Sequence, residues 1–195
     1  MRSLNFERKN MSKFKFLAIF GLFVLFLSGC APTQTVVAFD PYKTAASQQA
    51  NGLEVYISAV HDSRKNKSTI ATITDGRGTV KEYVVLQNDL AAYFSDSLKR
   101  ELAARGANVN GMGGVVVEVF INEFEANMSG YGSDNTRGKI KITLKIQKGD
   151  QSIIKNISNN QTKFELVRTG GAFKPFLTDI INDAVKRSAI AILNS

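Results

Sequence analysis

Cysteine is almost missing from this chain, with Cys30 the only one in 195 residues. A lone cysteine closes no internal disulfide. Histidine is as scarce, with His61 alone, and one histidine without cysteine partners builds no zinc site. As a general base it would need a nucleophile and an orienter. Ser63 and Asp62 are neighbours in sequence, but they share one short polar stretch, where triad geometry is not expected. No apolar run is long enough to span a bilayer. The longest uncharged one, Phe16 to Leu27, has twelve residues, against the ~20 a spanning helix needs. No concentrated basic face is present either. The formal charge is +8, but Arg2, Arg8, Lys9, Lys13 and Lys15 against Glu7 hold half of that excess ahead of residue 30. The remainder is dispersed, which argues against nucleic acid as a partner.

What is present begins with that short apolar run. Lys13 and Lys15 flank it, and Leu27-Ser28-Gly29-Cys30 closes it. The length and flanks are those of a secretory h-region. The ending resembles a bacterial lipobox, in which the cysteine is acylated and the peptide is cut just before it. This resemblance implies a signal peptide over residues 1–29, with Met11 the more usual-looking start. It also implies a lipid-bearing Cys30, palmitate included, at the head of the mature chain. Each buried methylene contributes ~0.8 kcal/mol, so two or three acyl chains anchor a protein permanently. Ala31 follows the cysteine where aspartate would signal inner-membrane retention, so the expected address is the outer membrane, facing the periplasm.

Residues 30–51 read as a flexible tether, rich in proline, small residues and amides, with a possible edge strand at Val36–Phe39. Residues 52–195 read as one domain. Leu53 to Val60 alternates as a half-buried strand. Ser68–Ile73 and Thr79–Val85 form a hairpin around Asp75-Gly76-Arg77-Gly78. Leu86, Leu90, Phe94, Leu98 and Leu102 recur every four residues, an amphipathic helix capped by Gln87 or Asn88 and stopped at Gly106. Val115–Ala126 carries apolar residues on both faces and is expected to be central. Gly138–Lys148 alternates, with Lys139, Lys141 and Lys145 outward, and Ser152–Leu166 returns beside it. A last helix runs from about Ala172 to Leu193, with Pro175 in its first turn. The expected fold is α+β, a two-layer sandwich. An antiparallel-rich sheet carries two amphipathic helices on one face, in the order strand, hairpin, helix, three strands, helix.

The lipobox, the order of elements and three short motifs together resemble the YajG family of bacterial lipoproteins. The motifs are Val60-His61-Asp62-Ser63-Arg64, the helix end Glu101-Leu102-Ala103-Ala104-Arg105-Gly106, and Gly171-Ala172-Phe173. The resemblance spans nearly the whole mature chain. It implies an envelope lipoprotein and supplies no activity.

Little of the remaining sequence points to chemistry. Asn110-Gly111-Met112-Gly113-Gly114 follows a helix and precedes a strand, the wrong order for a dinucleotide loop. Asp62 and Arg64 are candidates for positioning a ligand, although such pairs more often organise a turn. Tyr131, in a glycine-rich loop, is a candidate recognition residue. His61 reads as a solvated loop side chain. No catalytic, metal or cofactor residue is expected. The expectation is a non-enzymatic binding or scaffolding component of a cell-envelope assembly, held to the membrane through Cys30 and joined to an envelope protein. The alternatives are an accessory lipoprotein of an envelope transport system, or a small envelope hydrolase or ligand-binding enzyme using the Asp62/Arg64 loop.

Overall fold

The computed structural model describes residues 31–44, 52–111 and 114–195. The expected leader, 1–29, and its acceptor Cys30 lie outside the described residues. Pro32–Ser195 is one compact unit. In chain order its elements are β1 (Thr33–Val37), β2 (Val55–Asp62), β3 (Ala71–Thr74), β4 (Val80–Leu86), α1 (Leu90–Ala104), β5 (Val115–Ser129), β6 (Thr136–Lys148), β7 (Gln151–Lys163), a 3-10 turn at Gly170–Ala172, and α2 (Phe173–Leu193).

The described strands form a single mixed sheet ordered β1-β4-β3-β5-β6-β7, with β2 also paired to β5. The long β5–β6 and β6–β7 ladders and the short β3–β4 ladder are antiparallel. The parallel pairings are β1–β4, β2–β5 and β3–β5. Strand β5 is therefore central, as expected. One of its edges carries β6, and the other is shared end to end by β2 and β3.

Both helices lie on one face of this sheet, as their apolar stripes require. Helix α1 packs on β2 and α2, and α2 packs on β5, β6 and β7. Phe94, Leu98 and Leu102 of α1 and Ile180, Ile181 and Ala184 of α2 are fully buried there. In β5 the buried positions run Val115, Val117, Val119, Ile121, then Phe124, Ala126, Met128. The parity change coincides with a bulge between Ile121 and Glu123. One extra residue re-aims the strand so that its apolar face stays on the core. Gly138 lets α2 approach closely, since a Cβ there would lie 2.5 Å from Ile180 and 2.7 Å from Phe176.

Two expectations about local structure are corrected. The stretch 30–51 is no free tether where it is described. Strand β1 adds a parallel edge to β4, and Phe39 and Tyr42 are buried in the core. The Phe39 ring lies 5.1 Å from Tyr93 and 6.2 Å from Phe124, and its N–H donates to Asn88 Oδ1 at 2.7 Å. The apolar side chains of this stretch are too few for a periodic pattern, but Phe39 and Tyr42 each find a partner distant in sequence. Asn88 is thereby engaged elsewhere, and Asp89 caps α1 instead, accepting from the Ala92 N–H at 2.8 Å. A carboxylate there satisfies a free donor of the first turn and lies at the positive end of the helix.

Candidate functional site

The second face of the sheet carries no layer among the described residues, and its side chains form the candidate surface. Alternation along β5 and β6 sends Glu118, Phe120 and Glu125 to this face beside Lys139, Lys141 and Lys145. The charges are matched across the strands. Lys139 bridges Glu123 and Glu125, each at 3.0 Å, and Lys141 meets Glu123 at 3.0 Å. These contacts hold the Glu123 carboxyl below the usual carboxylate range, Lys139 foremost. They also hold the Lys139 ammonium above its ordinary value. The lysine stripe does not protect a sheet edge, because β7 pairs β6 along its whole length.

His61 belongs to this face, which corrects its placement in a loop. It lies in β2 opposite Phe120. Its ring stacks on Phe120 at 4.8 Å, and its Nε2 is 2.9 Å from Glu118 Oε1. Lys145 Nζ sits 4.4 Å from the centre of the same Phe120 ring and 3.6 Å from Glu118 Oε2. A half-buried aromatic ring is thus bracketed by an imidazole and an ammonium, with one carboxylate shared between them. Sequence reasoning missed this cluster. Its only trace is Phe120 alternating with Glu118 on an otherwise polar face, and the pairing of β2 with β5 is not written in local sequence.

Farther along the same face a groove of about 460 Å³ opens over β3, β5, β6 and β7. Asn66, Asn127, Arg137, Lys139, Asn160 and Thr162 are among its walls. Asn127 Nδ2 donates to Thr72 Oγ1 at 2.9 Å and helps fix one side. The groove walls mix these amides, hydroxyls and cations with the Glu125 carboxylate and the apolar Ile70, Ala71 and Ala126.

Asp62 and Arg64 do not line the groove. The Asp62 carboxylate receives Arg64 Nε at 2.9 Å and Nη2 at 2.8 Å. Arg64 is buried, and its Nη1 donates to the Phe124 carbonyl at 3.4 Å. Burial works to raise the Asp62 carboxyl, but the bonds from Arg64 outweigh it and leave it below its ordinary value. The pair fills the break between β2 and β3 along β5, where Ser63 N–H meets the Ile121 carbonyl and Ala126 N–H meets that of Ile70. A forked guanidinium suits a site where several carbonyls need donors. Tyr131 lies apart from both, 83% exposed in the β5–β6 turn, with the Arg168 guanidinium 4.4 Å from its ring centre.

Among the described residues no group of three or more His, Cys, Asp or Glu side chains is placed to hold a metal ion. Nor is any described helix long and apolar enough to cross a membrane.

A family model described as uncharacterized lipoprotein matches residues 41–194. No curated protein is significantly similar to the sequence. Among solved structures, a Xanthomonas campestris protein of the DUF330 family aligns with a TM-score of 0.52 at 13% identity, over 80% of this chain and 95% of its own. That likeness is one of fold. The minor lipoprotein of Acinetobacter baumannii aligns at a TM-score of 0.41 and 12% identity, over 65% of this chain and 94% of its own. Rare lipoprotein B of Shewanella oneidensis aligns at 0.37 and 8%, over 64% and 90%. Scores this low carry no argument.

Proposed function

This chain belongs to a family of uncharacterized lipoproteins, and from that premise we propose that it is lipid-anchored through Cys30 to the outer membrane. It faces the periplasm as a non-enzymatic binding or scaffolding component of an envelope assembly. The uncovered sheet face carries this reading. It presents Phe120 between His61 and Lys145, with a groove of mixed polar and apolar lining beside it. A half-buried aromatic flanked by polar groups suits a protein-docking surface. Asp62 and Arg64, the residues of the hydrolase alternative, are bonded to each other, and Arg64 also to the Phe124 carbonyl of β5, which favours the binding reading. Leu27-Ser28-Gly29-Cys30 supports the anchor, and Ala31 supports the outer-membrane address.

Affinity capture from detergent-solubilised envelopes tests the binding role. Wild type should retain a reproducible partner set. The double variant His61→Ala/Phe120→Ala should lose it while melting almost as wild type does. An unchanged partner set would take the docking role away from this face.

A further inference from the structure

The start of β1 lies at a definable end of the sheet. Thr33 is level with Glu82, near the start of β4. The start of β4 is level with Thr74, and Thr74 with Ser129 at the end of β5. Thr136 opens β6 beside Met128, and Lys163 closes β7 beside Thr136. One end of the sheet therefore gathers the start of β1, the β3–β4 turn, the β5–β6 turn and the segment that leaves β7.

That end exposes several large apolar side chains. Tyr131 is 83% and Leu166 78% exposed, with Phe164 and Val167 more than half exposed. They stand on a fixed platform. Arg168 donates to the Gly130 and Thr74 carbonyls at 2.7 Å each and lies against the Tyr131 ring. Asn135 exchanges two hydrogen bonds with the backbone of Glu165, at 2.8 and 2.9 Å.

Only Ala31 and Pro32 separate Cys30 from β1. Fully extended, that stretch spans about 10 Å at ~3.3–3.6 Å per residue. A lipid on Cys30 would hold this end of the domain at headgroup level, where aromatic and aliphatic side chains on a polar frame partition well.

We propose that this end is a membrane-contacting surface, with Tyr131, Phe164, Leu166 and Val167 inserted at the headgroup–acyl boundary of the anchoring bilayer. The proposal rests on the reading of Cys30 as acylated. It fixes the orientation of the domain and turns the far end of the sheet toward the periplasm.

The sequence contains no tryptophan, so Leu166→Trp introduces a single reporter. Ile154→Trp is the companion. That residue is exposed in β7, nine positions before its end, or roughly 30 Å along a strand at ~3.3 Å per residue. Each variant of the full protein is purified from membranes and reconstituted into phosphatidylethanolamine/phosphatidylglycerol vesicles, with and without chain-brominated lipid. Leu166→Trp should emit at shorter wavelength and be quenched by bromine, and Ile154→Trp should do neither. Equal quenching of both, or of neither, overturns the proposal. A blue shift without quenching assigns the patch to a second copy or another protein, and overturns it too. Palmitate labelling of the same preparations reports acylation separately. An unlabelled protein removes the anchor and this proposal together, whereas a labelled protein with an unquenched Leu166→Trp defeats this proposal alone.

Discussion

The Tyr42 hydroxyl donates to Glu101 Oε2 at 2.8 Å, joining residues fifty-nine positions apart in the chain. Glu101 is fully buried on α1, where Thr44 also donates to Oε2 at 2.6 Å and Arg105 holds Oε1 through Nε at 2.8 Å. A buried carboxylate is costly unless hydrogen-bonded and paired, and here three side chains from two parts of the chain meet that need. The same bonds clamp the segment after β1 onto the helix.

Loss of this clamp should be measurable. Tyr42→Phe removes one hydrogen bond to a charged group, an expected cost of ~1.5–3 kcal/mol. Glu101→Ala takes the acceptor from Tyr42, Thr44 and Arg105 together and should cost more, ~3–5 kcal/mol. Denaturant titration of the soluble domain reads both. A Tyr42→Phe midpoint equal to wild type would show that the N-terminal segment is not held by this bond.

Acid should undo the same site. Burial works to raise the Glu101 carboxyl, but Thr44, Tyr42 and Arg105 outweigh it and hold it below its ordinary value of 4.5. The folded state therefore binds this proton less readily than the unfolded chain. The stabilisation is fully present above that ordinary value and is lost as pH falls through the lower folded one. Asp62 acts in the same direction. Unfolding midpoints should be level between neutrality and the ordinary carboxylate value, then fall. Glu101→Gln should lower stability at neutral pH and flatten the acid slope. An unaltered slope in that variant would place the acid sensitivity elsewhere.

The two layers predict a contrast between one buried and one exposed ring. Phe94→Ala empties a fully buried site on α1 and should cost ~3–5 kcal/mol, a large part of a typical ~5–15 kcal/mol. His61→Ala removes an exposed pair with Glu118, and such pairs contribute ~0–1 kcal/mol. Thermal melts should separate the two variants by many degrees. Similar melts would mean that α1 does not bury the face assigned to it.

The anchor has its own test. Cys30→Ser should abolish palmitate labelling and leave precursor unprocessed. Ala31→Asp should move the protein from outer- to inner-membrane density. Labelled Cys30→Ser protein would refute the lipobox reading, and wild type already in the inner membrane would refute the address.

The sequence alone determined the elements whose cause is local. The four-residue repeat from Leu90 to Leu102 makes a helix with one apolar face. Alternation from Ile140 to Ile146 makes a strand with one, and Lys148-Gly149-Asp150-Gln151 turns it back. Two one-faced helices and a set of one-faced strands leave few arrangements other than two layers, so the α+β class was legible as well. Only the tertiary structure decided which strands are neighbours, because parallel pairing of β1 with β4, or of β2 and β3 with β5, joins segments that share no turn. From that pairing follow the burial of Phe39 and Tyr42, the locking of Arg64 into β5, and the placing of His61 on Phe120. The loop ends were decided the same way. Tyr131 and Leu166 are thirty-five residues apart in sequence, and only the register of β5, β6 and β7 brings them to the end of the sheet where β1 begins.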